Sequence, residues 1–279
     1  MLPDFSSMIA KTKEEAIQSL KDHPGSTLLA GGTDLLVRMS KGEIRTHLVD
    51  IIRVPELSVI APENGRLRIG ACTTHSTISR NADILTGARS LSIACGLVGS
   101  PQIRNMGTIG GNLVNASPAA DSIPPLLVHD ARLTLESNEG TKTESLERFI
   151  VAPYKTVISA TEILSSVVIE TLKGYEEGYR RVAKRAALAI SRLSIAWAIK
   201  EEEERFADVR LAIGSCTPMP FRPKNVEAFL IGQKREREVV EKAVNMVLGE
   251  IRSITGERPS FVYKLPVVRD LLRAILGGR

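Results

Sequence analysis

The sequence predicts a mixed α+β protein that is divided into two parts. Its 279 residues are enough for about two domains of ordinary size. Some apolar runs alternate with period two, as in strands, whereas others have the spacing of amphipathic helices. The stretch 173–178 (KGYEEG) is polar, contains two glycines and lacks apolar periodicity, so it predicts the boundary between the parts.

Strand and helix patterns alternate in the first part. Thr12 to Glu15 fits a capping box in front of an apolar stripe, which predicts a helix that ends at Gly25. Asn138 to Gly140 predicts a hairpin turn. The predicted strands span 26–30, 47–52, 66–71, 132–137 and 162–172, and further helices are predicted after Asp34 and at 74–81, 84–98 and 123–129.

The second part predicts a hairpin followed by helices. Residues 193–199 alternate large and small side chains, which predicts a strand buried on one face and closely covered on the other. A helix is the competing interpretation of this segment. Four carboxylates at 201–204 predict a solvated hairpin tip. A strand at 209–214 and amphipathic helices at 224–231, 236–251 and 261–276 complete the prediction.

Composition excludes several classes of function. The net charge of +5 comes from interleaved charges, and only 4% of the residues are aromatic, which argues against a nucleic-acid partner. No run of 18 residues is free of charge, so no membrane span is predicted. Cys72, Cys95 and Cys216 are too far apart for a metal site, and the N-terminus does not resemble a secretory signal. We therefore expect a cytoplasmic protein without its own metal.

Two glycine-containing segments are the strongest candidates for a ligand site. They are LLAGGTDLL at 28–36 and GTIGGNLVNA at 107–116. Paired glycines let successive backbone N–H groups converge on an anion such as phosphate, and a following helix adds partial positive charge. Neither segment matches a Rossmann or Walker pattern. Glycine spacing alone leaves tight turns without a ligand as the alternative.

The sequence lacks the usual catalytic motifs. It contains no GxSxG, no HExxH and no Cys–His pairing suggested by local context. If the protein is an enzyme, a bound cofactor must therefore supply the chemistry.

Four segments together resemble the FAD-binding medium subunit of xanthine dehydrogenase and carbon monoxide dehydrogenase type molybdenum hydroxylases. They are AGGTDLLVRM, TIGGNLVNASPAAD, YRRVAKRAA and RLAIGSCTPMPFRPKNVEAFLIG, in this order along the chain. The resemblance implies a two-lobed FAD-binding domain of the PCMH type at 1–173, with lobes at about 1–54 and 55–173. It also implies a C-terminal domain at 174–279, in which helices pack on a small antiparallel sheet.

The resemblance also implies which residues contact FAD. Non-covalent FAD would be held by Leu29, Ala30, Gly31, Gly32, Thr33, Asp34 and Leu35 from the first segment, and by Thr108, Gly110, Gly111, Asn112 and Asp121 from the second. Leu164 would make an apolar contact to the flavin region. Arg180 stands where relatives often carry a lysine near the ring, and Tyr179 beside it would cover one ring face. Tyr179 as a core residue and Asp121 as a helix cap are the alternatives.

The family pattern predicts partners as well. Molybdopterin and [2Fe-2S] clusters would lie on a large and a small partner subunit, because three scattered cysteines cannot hold a cluster. The complex would be an αβγ heterotrimer or its dimer, and electrons would leave through FAD to NAD, a quinone or oxygen. A self-contained FAD oxidase and a non-catalytic binding module are the alternatives. No residue of this chain is expected to act as an acid or base on the organic substrate.

Overall fold

The computed structural model describes residues 3–185 and 190–278. Lobe 1 (residues 3–54) contains β1 (Ser6–Ile9), α1 (Lys13–Asp22), β2 (Thr27–Leu29), α2 (Leu35–Ser40) and β3 (His47–Asp50). Strand β3 lies between β1 and β2 and is parallel to both. The predicted cap of α1 is confirmed, because the Thr12 hydroxyl accepts the N–H of Glu15 at 3.2 Å.

Lobe 2 (residues 55–173) is built on an antiparallel sheet of five strands in the order β4-β5-β10-β6-β7. After a 3-10 turn at Pro55–Ser58, its elements are β4 (Ile60–Glu63), β5 (Arg66–Gly70), α3 (His75–Arg80), α4 (Ala82–Gly87), α5 (Arg89–Leu97), α6 (Pro101–Met106), α7 (Ile109–Asn115), α8 (Ile123–Val128), β6 (Arg132–Ser137), β7 (Gly140–Ser145), α9 (Leu146–Phe149), β8 (Ile150–Ala152), β9 (Lys155–Thr156) and β10 (Ile163–Glu170). One apolar core joins the sheet to the helices, as at Ile69, Leu91 and Val167.

The prediction of one helix over 84–98 is wrong. Two helices, α4 and α5, replace it, and the chain breaks between them at Ala88, whose φ of −153° is not helical. The carbonyl of Gly87 accepts the N–H of Leu172 at 2.9 Å, so the break supplies an acceptor for the chain that follows β10. This tertiary hydrogen bond leaves no trace in the local apolar pattern.

The C-terminal domain (residues 174–278) has a three-stranded antiparallel sheet and three helices. Its elements are β11 (Glu176–Ala183), β12 (Ser191–Glu202), β13 (Arg205–Gly214), α10 (Lys224–Leu230), α11 (Arg237–Thr255) and α12 (Phe261–Leu276). Strand β12 is central, which confirms the strand interpretation of 193–199. Its tip at Glu203 and Glu204 is exposed, as predicted.

The two faces of β12 belong to different cores. Ile195, Trp197 and Ile199 pack with the core of the C-terminal helices. Ala196 and Ala198 belong instead to the core of lobe 2. The alternation of large and small side chains therefore reflects a strand between two layers, with small residues where the sheet of the C-terminal domain lies close to lobe 2.

Candidate functional site

A cavity of about 470 Å³ lies between lobe 1 and lobe 2. This volume is in the range of cofactor and ligand sites. Its walls come from the β2–α2 loop, the chain from β5 into α3, the chain around α7 and the loop before β10. The lining includes the predicted site residues Leu29, Ala30, Gly31, Gly32, Thr33, Asp34, Leu35, Thr108, Gly110, Gly111, Asn112 and Leu164.

The first glycine segment touches lobe 2 through its backbone. A Cβ atom on Gly31 would lie 1.8 Å from the carbonyl oxygen of Met106, so only glycine allows this approach. The N–H groups of residues 31–34 donate to no acceptor within the described part of the chain. These N–H groups are therefore free in a loop whose residues line the cavity, and anion binding by them stays a prediction.

The second glycine segment uses its N–H groups within the protein. The N–H of Ile109 donates to the Thr73 carbonyl at 3.0 Å, and that of Gly110 donates to the Ala71 carbonyl at 2.8 Å. Thr108 accepts from Gly111 through its hydroxyl. The prediction of an anion nest is wrong for this segment, because its paired glycines lie in the first turn of α7 and not in a loop before it. A Cβ on Gly110 would lie 2.6 Å from that of Ala71, so this glycine serves packing.

Two asparagines complete the wall formed by α7. Asn115 Nδ2 donates to Asp34 Oδ2 at 3.1 Å and so links the two glycine segments across the cavity. Asn112 Oδ1 accepts from the Ser122 hydroxyl at 2.6 Å, which leaves the amide nitrogen of Asn112 as its remaining donor group.

Sequence reasoning missed the wall formed by residues 158–162. Glu162 Oε2 accepts the N–H of Ser159 at 2.8 Å and thereby fixes this loop. Burial raises the pKa of Glu162, but hydrogen bonds from Lys142 and Ser159 outweigh it, and the pKa is lowered overall. Tyr154 lies on the rim and is 63% exposed. None of these residues belongs to a motif, because only the tertiary fold brings them to the cavity.

Residues 71–75 form a further wall that the sequence did not single out. His75 is 2% exposed, and its Nδ1 lies 3.5 Å from Cys95 Sγ. Burial, followed by the nearby charge of Arg104, lowers the pKa of His75 to about 4. Burial also raises the pKa of the Cys72 thiol to about 12. Both side chains are therefore neutral at ordinary pH.

The structure places Asp121, Tyr179 and Arg180 outside the cavity lining. Asp121 is buried and accepts hydrogen bonds from the Tyr179 hydroxyl at 2.5 Å, from Arg181 Nη1 at 2.8 Å and from the Ser191 hydroxyl. Burial raises the pKa of Asp121 overall, although these donors oppose it.

Tyr179 is buried in the core of lobe 2, which was the alternative to covering a face of the flavin ring. The N-cap of α8 is Ser122, and it makes no side-chain cap hydrogen bond. Arg180 is exposed and pairs in register with Ile195, whose side chain points to the C-terminal helices. Contacts of these three residues with FAD remain predictions. The last two residues of YRRVAKRAA lie outside the described residues.

Two further sequence expectations concern metals and membranes. Within residues 3–185 and 190–278, no group of three or more histidine, cysteine or acidic side chains has the geometry of a metal site. Over the same residues, no helix combines the length and apolar character that a membrane span requires.

The fold and the cavity define a class of two-lobed α+β proteins with a ligand-sized cavity between the lobes. Residues 3–171 match the family model of the FAD binding domain in molybdopterin dehydrogenase, and residues 178–277 match that of the CO dehydrogenase flavoprotein C-terminal domain. The chain belongs to the family of FAD-binding medium subunits of xanthine dehydrogenase and CO dehydrogenase type molybdenum hydroxylases. Its cofactor is FAD, and it is a subunit of an oxidoreductase.

Individual relatives agree with this assignment. The chain is 31% identical to the glyceraldehyde dehydrogenase medium chain of Sulfolobus acidocaldarius, with 96% of each chain covered. It is 30% identical to the xanthine dehydrogenase FAD-binding subunit of Escherichia coli O157:H7, covering 98% of this chain and 96% of the relative. It shares its fold with carbon monoxide dehydrogenase from Hydrogenophaga pseudoflava, with a TM-score of 0.89, 23% identity, and 100% of this chain and 96% of that one covered.

Proposed function

We propose that the chain is the electron-exit subunit of a molybdenum hydroxylase complex. Electrons would arrive from the [2Fe-2S] clusters of a small partner and leave for NAD, a quinone or oxygen. A large partner with molybdopterin would oxidise the substrate, and the assembly would be an αβγ heterotrimer or its dimer in the cytoplasm. The relatives' names support this proposal, since they describe a medium chain and an FAD-binding subunit of dehydrogenases.

The cavity between the lobes is the observation that carries the proposal. It is lined by both glycine segments and fits an elongated anionic cofactor, because the loop at 31–34 presents free N–H groups and a Cβ at Gly31 would clash with the backbone of Met106. Bound FAD supplies the redox chemistry, since a flavin exchanges electrons singly and in pairs.

The residues of this chain hold and shield the cofactor. We propose that the N–H groups of residues 31–34 and the hydroxyl of Thr33 bind the diphosphate. Leu29, Ile103 and Leu164 would exclude water from the apolar parts of the ligand. Asp34 and Glu162 are already held by Asn115 and by Lys142, which agrees with a cavity that performs no acid–base step on an organic substrate.

The proposal is tested on the purified chain. We expect about one FAD per chain, identified by its visible spectrum and by the mass of the released chromophore. A photoreduced [2Fe-2S] protein should then bleach the flavin absorbance, whereas glyceraldehyde, xanthine or nicotinate alone should not. Turnover of such a substrate by the chain alone would establish the self-contained oxidase instead. Failure to bind added FAD would overturn the cleft assignment.

A further inference from the structure

His75 combines burial with a free ring nitrogen at the cavity. Its Nδ1 faces Cys95 Sγ, and its backbone N–H donates to the Gly107 carbonyl at 3.0 Å. Within the described residues, Nε2 has no hydrogen-bond partner. Nε2 also keeps some accessible surface, and His75 lines the cavity, so a ligand in the cavity can reach this atom.

On the side of His75, the first turn of α7 offers an anion no free N–H group, and the nearby cation is already paired. The first-turn N–H groups of α7 all donate within the protein, to the carbonyls of residues 71, 73 and 108 and to the Thr108 hydroxyl. Arg38, the cation among the lining residues, is paired with Glu43 at 3.2 Å. An anion near His75 therefore finds the free N–H groups of residues 31–34 but none from the first turn of α7. His75 lies where the two glycine segments meet, because a Cβ on Gly107 would be 3.4 Å from His75 Cδ2 and 3.4 Å from Thr33 Oγ1.

The Cys95 thiol is compatible with a hydrogen on Nε2 of His75. Burial raises the pKa of Cys95 far above its usual range, so the sulfur keeps its proton and can donate it to Nδ1. A neutral imidazole that accepts at Nδ1 carries its hydrogen on Nε2. A phosphate oxygen only accepts hydrogen bonds, so it selects this tautomer over the one with hydrogen on Nδ1.

We propose that His75 is a cofactor-positioning residue, whose Nε2–H donates to a diphosphate oxygen of FAD. The inference rests on the proposed function and adds a contact that lies outside both glycine segments. It assigns the diphosphate, and not the flavin ring, as the group that His75 recognises.

Four proteins test the contact by calorimetric titration with FAD, ADP and riboflavin. We expect His75→Leu to weaken FAD and ADP binding about ten- to hundred-fold, the usual range for a hydrogen bond to a charged group. Riboflavin, which lacks phosphate, should bind equally to this variant and to the unaltered chain. His75→Gln, which retains an N–H donor near Nε2, should regain most of the affinity. His23→Leu, at an exposed histidine outside the cavity lining, is the matched control and should bind FAD normally.

Circular dichroism of each variant without ligand establishes that it folds. Nitrogen-15 NMR of histidine-labelled protein with FAD should show hydrogen on Nε2 and none on Nδ1 of His75. Equal losses for His75→Leu and His75→Gln, an equal loss for riboflavin, or hydrogen on Nδ1 would each overturn the contact. Normal FAD binding by His75→Leu would overturn it and leave the proposed function intact. If the unaltered chain bound neither FAD nor ADP, both proposals would fail.

Discussion

The two junctions of lobe 2 are built in different ways. Lobe 1 meets lobe 2 around the cavity, through the backbone contact of Gly31 and two small apolar clusters, one with Val49 and Cys72 and the other with Leu20 and Ile163. The C-terminal domain instead shares the large core of lobe 2, to which it contributes Tyr179, Ala196, Ala198 and Ala212. Burial of apolar surface therefore holds the second junction much more strongly than the first.

The two junctions of lobe 2 also differ in their hydrogen bonds and ion pairs. At the second junction, Arg210 donates to Asp130 and to the Val128 carbonyl, while Arg222 donates to Asp130 and to the Leu127 carbonyl, so both arginines hold the end of α8. The first junction has the hydrogen bond between Asn115 and Asp34 and the ion pair between Lys13 and Glu136. In the proposed site FAD would complete the first junction, so ligand effects should concentrate there.

The largest expected effect is at the buried carboxylate of the second junction. Asp121→Ala removes the acceptor shared by Tyr179, Arg181 and Ser191, and should lower the free energy of unfolding by about 3–5 kcal/mol. Asp208→Ala is the matched control, because its carboxylate is partly exposed, and should cost about 1 kcal/mol or less. Urea unfolding measures both. Equal losses of unfolding free energy in the two variants would contradict the distinction between a buried and a partly exposed carboxylate. A selective loss of FAD affinity in Asp121→Ala would support the predicted contact of Asp121 with the cofactor.

Acid should lower the stability of the folded chain through His75. The pKa of His75 is about 4 in the folded chain, whereas an unperturbed histidine has a pKa of about 6.5, so the unfolded chain takes up the proton first as pH falls. Stability is therefore lost as pH falls from about 6.5 to 4, by on the order of 3 kcal/mol. Urea unfolding across this range should show that His75→Gln lacks this part of the loss. An identical pH profile for both proteins would refute the assignment.

The close approach at Gly31 should control cofactor affinity more than fold stability. In Gly31→Ala the new methyl group must push the β2–α2 loop away from Met106, and overpacking of this kind costs about 1–3 kcal/mol. We expect FAD to bind about ten- to hundred-fold more weakly. Fluorescence of Trp197, the single tryptophan, should show an almost unchanged C-terminal domain. Gly249→Ala, on the exposed face of α11 with open space around it, should bind FAD normally.

The smallest expected effect is at the ion pair between the lobes. Lys13 Nζ lies 2.8 Å from Glu136 Oε2, and both side chains are about one-fifth exposed. A double-mutant cycle of Lys13→Ala and Glu136→Ala should give a coupling of about 0.2–1 kcal/mol in unfolding experiments without FAD. A coupling several times larger would show that the first junction depends on charge more than its geometry indicates.

The sequence predicts those features that depend on local signals. The capping box predicted at Thr12 sits where α1 begins, and period-two alternation correctly identifies β12. Prediction from the sequence fails where the local structure depends on a backbone group that is distant along the chain. The break at Ala88 depends on the N–H of Leu172, and the loss of free donors in α7 depends on the carbonyls of residues 71 and 73.

The same limit applies to the candidate site. Twelve of the fifteen residues assigned by resemblance line the cavity, because the two glycine segments lie within one loop and one helix turn. His75, Tyr154 and residues 158–162 belong to no motif and reach the cavity only through tertiary folding. Arg180 lies outside the cavity lining because successive side chains of a strand point to opposite faces of the sheet. Its neighbour Arg181 is the residue that reaches Asp121.

The shared core at β12 has a consequence for dissecting the chain. A fragment beginning at residue 174 would expose Tyr179 and the alanine face of β12, and the complementary fragment would expose the surface of lobe 2 that they cover. Each fragment would present a large apolar surface of the kind that promotes aggregation. The C-terminal segment is therefore a poor candidate for separate expression, and a fusion tag, a cleavage site or a split-protein design belongs elsewhere, such as the solvated tip at residues 203–204.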